Sequence, residues 1–500
     1  MDTTEITLNR ALELYALHSP NKTFITHQRA TYSFKQTHDL VNRVATTLKN
    51  NGVRQGDPVC LMLPRVPELI IAFLAATRIG ALPAPVNYLL CSNDVINFVK
   101  QISPKAIFSD TRILSSEINT ALTETETLLR IDTNNKKENW VNWSTAVIAE
   151  PYTEKDGFQS TDVAYLNFTT GTSGQPKGAL ATHANIYWNT RSAIKALSLT
   201  AEDVHLCMFA SFAHPHELFA RSLYTGASVI LLEEINPKTI VNTINQHSIT
   251  CMMGLAPMYE MMVNHCGSMT MPSLRIAESG GMYTRQAINE EFLRQFGIPI
   301  LSVWGSTETT GIALANRDTD YQTNGSMGKV CPYYQVKLMD DNNSEVAAGE
   351  IGELFFKGPG IVKGYDDHTC ILDENGWYAS GDIATMDNKG FYSFIERKSG
   401  MIKVTGLKVY PLQVELILLD HPKIAEIAVL GIPDRRKGNI PKAFVVPVEG
   451  KHLDSDDIVN FCKGKIPPYM IPKQFEIMED LPKIGSGKIN KKALVKSLFL

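Results

Sequence analysis

Asp57-Pro-Val-Cys-Leu-Met-Leu63 is an apolar run of the length of one buried strand; Pro67 to Gly80 carries a helical pattern opened by proline and closed by glycine, and Leu82 to Val86 is β-rich again. Strand, helix and strand within about 30 residues make the unit from which parallel sheets are built. The punctuation returns at Asp203-Val-His-Leu-Cys-Met-Phe209, with a helix expected over His216 to Thr225 and a strand over Ala227 to Leu232. Asp57 to Gly80 and Asp203 to Gly226 are both 23 positions apart. The fold class read from this is α/β, with two similar α/β lobes in a large N-terminal domain.

Outward from these units the pattern changes. From about Val336 the strands are short and broken by Gly and Asn (Gln335 to Met339, Gly352 to Lys357, Trp377 to Ser380, Phe391 to Ile395), which predicts a small β-subdomain. Beyond Lys398 come a strand-turn segment (Met401 to Tyr410), a helix from Pro411 and strands at Ile424 to Gly431 and Lys442 to Pro447, the makings of a smaller, mobile α+β C-terminal domain. The expected division is 1–397 and 398–500. A chain of 500 residues exceeds one ordinary core, so more than one domain is required in any case.

Composition excludes several classes. With 44% apolar and 20% charged residues the chain is neither disordered nor fibrous. A net charge of −4 leaves no overall footprint for nucleic acid. The balance is uneven: from Lys398 onward there are 17 Lys+Arg against 11 Asp+Glu, before it 31 against 41. A basic end on an acidic body suits a polyanionic small molecule. Eight scattered cysteines without a CxxC signal neither zinc nor a disulfide framework, which points to a reduced, cytoplasmic protein. Met1 to Arg10 lacks the pattern of a secretory signal, and the longest apolar run, Leu69 to Ala76, is too short for a membrane span.

Tyr165-Leu-Asn-Phe-Thr-Thr-Gly-Thr-Ser-Gly-Gln-Pro-Lys-Gly178 reads as a strand emptying into a loop of Gly, Ser and Thr. Glycines let backbone N–H groups converge on an anion, hydroxyls add donors, and Lys177 adds a point charge, so the loop is a phosphate-binding candidate. The Gly-Lys-Ser/Thr of the nucleotide P-loop is missing. Thr169 to Gly178 resembles instead the phosphate loop of the adenylate-forming enzymes: acyl-CoA synthetases, adenylation domains of nonribosomal peptide synthetases and beetle luciferases. Further motifs resemble that family's in the same order: Trp304-Gly-Ser-Thr-Glu308, Gly376-Trp-Tyr-Ala-Ser-Gly-Asp382, Ile395 to Lys403, Thr405 to Glu415, and Leu481-Pro-Lys-Ile-Gly-Ser-Gly-Lys488.

The resemblance assigns roles that the residue chemistry supports. Thr169, Thr170, Gly171, Thr172, Ser173, Gly174 and Lys177 would hold the ATP phosphates, with Thr307 on the α-phosphate and Glu308 offering the hard oxygen that Mg²⁺ prefers. A Thr-Glu pair standing alone reads as a helix cap. Gly280, Gly281, Met282 and Trp304 would line the adenine, and Asp382 with Arg397 would hold the ribose. Lys488 would bring a cation to the charge that builds as a carboxylate displaces pyrophosphate. His214, in Ser211-Phe-Ala-His-Pro-His-Glu-Leu218, matches the acyl-activating branch, where amino-acid-activating relatives carry Asp; whether His216 and Glu217 read substrate polarity or cap the helix stays open. Met252, Met253, Met258, Met261 and Met262 read as core packing or as a soft acyl pocket.

The family's hinge and its second half-reaction fall on Ser399, where relatives carry Asp or Lys, and on the loop at Gly406. Lys403 joins Lys488 and His214 as a catalytic candidate and, with Lys408, Arg435, Arg436 and Lys437, is a candidate for the phosphates of coenzyme A. The reading is an ATP- and Mg²⁺-dependent carboxylic acid:CoA ligase that forms an acyl-AMP and then a thioester. Delivery to the phosphopantetheine of an acyl carrier protein, a silent nucleotide-binding module and a luciferase-like oxygenase stand as alternatives.

Overall fold

The computed structural model describes residues 5–154, 157–169, 177–434, 436–483 and 489–497. Contacts divide the chain into two units, 1–335 with 356–378, and 336–355 with 379–500.

The strands of both copies of the repeated motif form where expected. In the first, strand Pro58–Met62 leads through helix Pro67–Arg78 to strand Leu82–Pro85, which lies parallel to it. In the second, strand Val204–Cys207 pairs in parallel with Ser228–Leu231. The connection differs from the single helix expected: a 3₁₀ turn, Pro215–Leu218, precedes a short α-helix, Ala220–Thr225. The boundary residues act alike in both copies. Asp57 accepts a hydrogen bond from the Arg54 N–H, and Asp203 from the Thr200 N–H, each at 2.7 Å. Gly80 and Gly226 take positive φ of 72° and 74°, and a Cβ at either would lie 2.4 Å from a ring, Phe158 in one case and Tyr15 in the other. The helices meet in one apolar core, where Phe73 and Phe219, at the same offset within their copies, pack edge to face at 5.5 Å.

Each copy sits in its own sheet. The first lobe orders its strands Leu82–Pro85, Pro58–Met62, Ala106–Ser109, Leu129–Asp132 and Val141–Asn142, all parallel. The second runs from Ala30–Ser33 and Thr23–His27 through Ser228–Leu231, Val204–Cys207, Cys251–Gly254 and Ile276–Ser279 to Ile300–Ser306, then Gly311–Ala315 and Ser326–Val330. It is parallel from Thr23–His27 to Ile300–Ser306 and antiparallel at both ends. Strands Val163–Thr169 and Lys177–Thr182 form a separate antiparallel hairpin. The methionines serve packing: Met252, Met258 and Met262 are buried in the core under the second sheet, Met261 packs against it, and Met253 belongs to the core between the copies.

The expected short strands, Gln335–Met339, Ile351–Lys357, Tyr378–Met386 and Tyr392–Arg397 in that order, fall mostly in the second unit, which also holds the C-terminal α+β layer. There, strands Ile424–Asp434 and Gly438–Pro447 alternate sides: Ile427, Val429, Ala443 and Val445 face helices Pro411–Leu419 and Ser455–Cys462, while Ala428 and Phe444 meet Leu481 and Leu494. The contact boundary departs from 397/398. Tyr410 joins Ile383 and Ile395 in a small apolar cluster, and the Leu412 N–H donates to the Glu396 carboxylate at 2.9 Å, so the β-subdomain strands group with the C-terminal segment.

Candidate active site

The phosphate-loop candidate is the connection of a hairpin whose last described pair is Thr169 opposite Lys177. Thr170, Gly171, Thr172, Ser173 and Gly174 lie outside the described residues, as does Lys488. The hairpin is anchored from a distant segment: the Gly178 N–H donates to Asp366 Oδ1 at 3.0 Å, and the Asp366 N–H to the Gly178 carbonyl at 2.8 Å. Lys177 Nζ reaches Asp367 Oδ2 at 2.9 Å and lies 5.5 Å from the centre of the Tyr365 ring. On its other side the Tyr365 hydroxyl donates to Glu308 Oε1 at 2.6 Å, and the Val362 N–H to the Glu308 carbonyl at 2.9 Å. Burial and then the Glu308 carboxylate push the Tyr365 phenol up, so it stays a donor to that carboxylate. One phenol thus contacts both an ammonium and a carboxylate. Tyr365 carries no signal in the sequence, because its partners are 188 and 57 positions away.

The loop that bears Thr307 and Glu308 is held by its neighbours. Ser306 and Thr309 exchange backbone-to-hydroxyl hydrogen bonds, and the Thr309 hydroxyl donates to the Gly311 carbonyl at 2.6 Å. Gly311 has φ of 131°, and a Cβ there would come 2.4 Å from both Asn189 Oδ1 and Glu217 Oε1, so no other residue fits. Gly280, Gly281 and Met282 follow strand Ile276–Ser279, in a turn closed by Ser279 Oγ and Thr284 Oγ1 at 2.9 Å. Trp304 is 9% exposed and stacks flat on Phe356 at 4.3 Å, so one ring face is covered by protein.

His214 ends the turn after strand Val204–Cys207. The Asn167 amide donates to its Nδ1 at 3.2 Å, which puts the ring proton on Nε2. Asn167 is buried in the strand that runs into the phosphate loop, and its role was not legible in the sequence. His216 is fully enclosed: its Nε2 donates to the Thr310 carbonyl at 3.0 Å and its Nδ1 accepts from the Tyr165 hydroxyl at 2.8 Å. Burial pushes its pKa down to about 4, so it is a neutral brace. His216 therefore neither caps the helix nor faces a substrate. Glu217 pairs with Arg221 at 3.0 Å, and Arg221 with Glu278 at 2.5 Å, all three at most 5% exposed at the side chain.

In the second unit Asp382 and Arg397 are opposed across antiparallel strands, with Arg397 Nε 2.7 Å from Asp382 Oδ1. Asp382 is 2% exposed, whereas the Arg397 side chain is 57% exposed. Ser399 occupies a 3₁₀ turn, Lys398–Gly400, whose Lys398 pairs with Glu353 at 2.5 Å. Thr405 and Gly406 have φ of 48° and 86°, a two-residue hairpin turn that sets Lys403 opposite Lys408. Lys408 is paired with Asp341 at 2.8 Å. Lys437, Tyr469 and Lys473 line a hollow of about 250 Å³ beside Thr405. Arg436 lies in the adjoining turn, and Arg435 is outside the described residues.

Known proteins resemble this chain in sequence and in fold. The sequence model of the AMP-binding enzyme family matches residues 12–366, and that of the AMP-binding enzyme C-terminal domain matches residues 413–488. An indoleacetate–CoA ligase of Aromatoleum aromaticum is 28% identical over 97% of this chain and 96% of its own length. A feruloyl-CoA synthase of an Amycolatopsis species is 29% identical over 95% of each. Among solved structures, an o-succinylbenzoate CoA synthetase of Bacillus subtilis in complex with its acyl-adenylate intermediate superposes with a TM-score of 0.87 at 25% identity, covering 98% of both chains.

Proposed function

As the chain belongs to the AMP-binding enzyme family, we propose that it is an ATP-dependent carboxylic acid:CoA ligase. A carboxylate oxygen of the acid attacks the α-phosphorus of ATP and pyrophosphate leaves, giving an acyl-AMP. The sulfur of coenzyme A then attacks the acyl carbon, AMP leaves and the thiol proton is released. The observation that carries the reading is the Lys177–Tyr365–Glu308 arrangement at the mouth of the glycine-rich hairpin. Lys177 and the loop's N–H groups would meet the phosphates. Glu308, an oxygen donor oriented by the Tyr365 hydroxyl, fits Mg²⁺, which when bound neutralises charge on the triphosphate.

His214, with its Nε2 proton fixed by Asn167, would donate to the acid's carboxylate and orient it. Gly280, Gly281 and Met282 would line the adenine, with Trp304 offering at most the face that Phe356 leaves. Asp382 would accept from the ribose hydroxyls, and Lys488 would stabilise charge in the adenylation transition state. We place the hinge at Ser399, the thioester-forming turn at Gly406, and the phosphates of coenzyme A near Lys403 and Lys437. No helix of the described residues is long and apolar enough to cross a membrane, and the eight thiols are all unpaired, which suits the reducing cytoplasm.

The test is incubation with Mg-ATP and a panel of fatty, aryl and amino acids, with and without coenzyme A, read by mass spectrometry. Acyl-AMP without coenzyme A and acyl-CoA with it are expected. An acyl-AMP that ignores coenzyme A would move the acceptor to a carrier protein, and no adenylate from any acid would leave a nucleotide-binding module.

A further inference from the structure

The turn that bears His214 is gripped from one strand at two places. Tyr165 and Asn167 stand two residues apart in strand Val163–Thr169, on the same side of it, and both are buried. The Asn167 amide donates to His214 Nδ1 at 3.2 Å, and the Tyr165 hydroxyl donates to His216 Nδ1 at 2.8 Å. The rise of two strand residues, roughly 7 Å, is close to the 6.2 Å between the centres of the two imidazoles, so both contacts form at once with Pro215 between them.

On its other edge His216 meets a third segment. Its Nε2 donates to the Thr310 carbonyl at 3.0 Å. The Thr310 N–H donates to the Thr307 carbonyl at 3.1 Å and closes the turn Thr307-Glu308-Thr309-Thr310, in which Glu308 is the first of the two central residues. Thr310 has φ of 56°, a left-handed conformation that a β-branched residue keeps only where its surroundings fix it. The Thr309 carbonyl has donors of its own in Asn189 Nδ2 and the Tyr334 hydroxyl, at 3.0 and 2.8 Å, whereas the Thr310 carbonyl is taken by His216. A neutral imidazole offers one acceptor and one donor on separate edges of a flat ring, and here both are used. Packing alone does not ask for this. At the same offset in the first copy of the repeat stands Ile70, buried and apolar, so the fold accepts hydrocarbon at this place.

We propose that His216 is a positioning residue of the adenylation step: it ties the strand that enters the phosphate loop, the turn that presents His214 to the acid and the turn that presents Glu308 to Mg²⁺ into one frame. The inference rests on the ligase reading and adds to it a residue that touches neither reactant, since His216 is 1% exposed. One ring sets the aim of two side chains, one on each reactant, and a displacement of about 1 Å at such a place costs on the order of 10²-fold in rate. Burial pushes the His216 pKa down to about 4, so the ring is neutral and the frame keeps both bonds at neutral pH. The separate donors on the Thr309 carbonyl keep the Glu308 turn folded without His216; what is lost is its alignment with His214.

The test compares His216→Leu, which removes both hydrogen bonds, with His216→Gln, whose amide can accept from Tyr165 and donate to Thr310. The acid is the member of the panel that wild type adenylates fastest, and rates are taken per active site from the burst of acyl-AMP. His216→Leu should lower kcat for acyl-AMP formation by about tenfold to 10²-fold and raise KM for the acid. In calorimetry without acid, its preference for Mg-ATP over ATP in EDTA should shrink by about tenfold, as for loss of a partner behind a metal ligand. His216→Gln should recover most of both. Wild-type constants per site with only a lower melting temperature would make His216 an ordinary core residue and overturn the proposal. A change confined to the acid or to Mg²⁺ would overturn the shared frame, and a Gln variant no better than Leu would overturn the two hydrogen bonds as its cause. Should neither variant fold, Tyr165→Phe, which keeps the ring and removes one bond, should show the same two shifts at smaller size, and wild-type constants there would overturn the proposal. Failure of every acid to form acyl-AMP with wild type would instead bring down the ligase reading itself.

Discussion

The two strand–helix–strand copies share their punctuation and differ in what fills it. Asp57 and Asp203 tie down the strand entry in the same way, and Gly80 and Gly226 turn the chain with the same sign of φ. Between them, the first copy is apolar at nearly every buried position of its helix, Leu69 to Ala76. The second places His214, His216, Glu217 and Arg221 at the offsets of Glu68, Ile70, Ile71 and Ala75. A lobe that only has to pack can be filled with hydrocarbon. Buried polar groups are retained where each has a partner, at a cost in stability that the first copy does not carry. With the proposed role of His214, the difference would make one copy scaffold and give chemistry to the other, and that contrast can be attacked from both sides.

Ile70→Ala, in the scaffold copy, should cost about 2–5 kcal/mol through the cavity it leaves, seen as a lower denaturation midpoint. The folded variant should keep its KM for the acid; a large change in KM at unchanged stability would put substrate contacts in the wrong copy. Acid should act on the second copy through its buried imidazoles. Burial holds His205 and His216 at about 4, below the ordinary 6.5, and the first copy contains no histidine. The unfolded chain therefore takes up protons that the folded chain refuses. Stability is complete well above pH 6.5 and is lost as pH falls toward 4, by roughly 4 kcal/mol for the pair at pH 5. Denaturation curves at pH 7.5 and 5 measure this, and equal stability at both would contradict the neutral, enclosed imidazoles. The shared punctuation gives the smallest effects: Gly80→Ala and Gly226→Ala should each cost about 1–2 kcal/mol from the left-handed backbone, with further cost from Phe158 and Tyr15. A cost at one glycine and none at the other would break the equivalence of the copies.

Much of this was legible because it is local. The strand–helix–strand spacing, the glycine-rich hairpin and the ordered motifs are each written within a few tens of residues. What was not legible depends on distant partners. Asn167 finds His214 across 47 residues and Tyr365 finds Glu308 across 57, and neither carries a local pattern. His216 shows no sign in sequence of being enclosed by Tyr165 and Thr310. Trp304 was expected from the resemblance to line the adenine, and its stacking on Phe356 is a tertiary event that the motif does not announce. The unit boundary shifted from 397/398 for the same reason: Tyr410 packs with Ile383 and Ile395, a contact that strand patterns do not announce.

The most direct measurement is single-turnover acyl-AMP formation in His214→Ala beside Glu68→Gln, which alter the same offset in the two copies. The account predicts a loss of about 10²-fold for His214→Ala with an unchanged melting temperature, and a rate within about twofold of wild type for Glu68→Gln. Equal losses in both variants, or full activity in His214→Ala, would contradict the placement of the chemistry in the second copy.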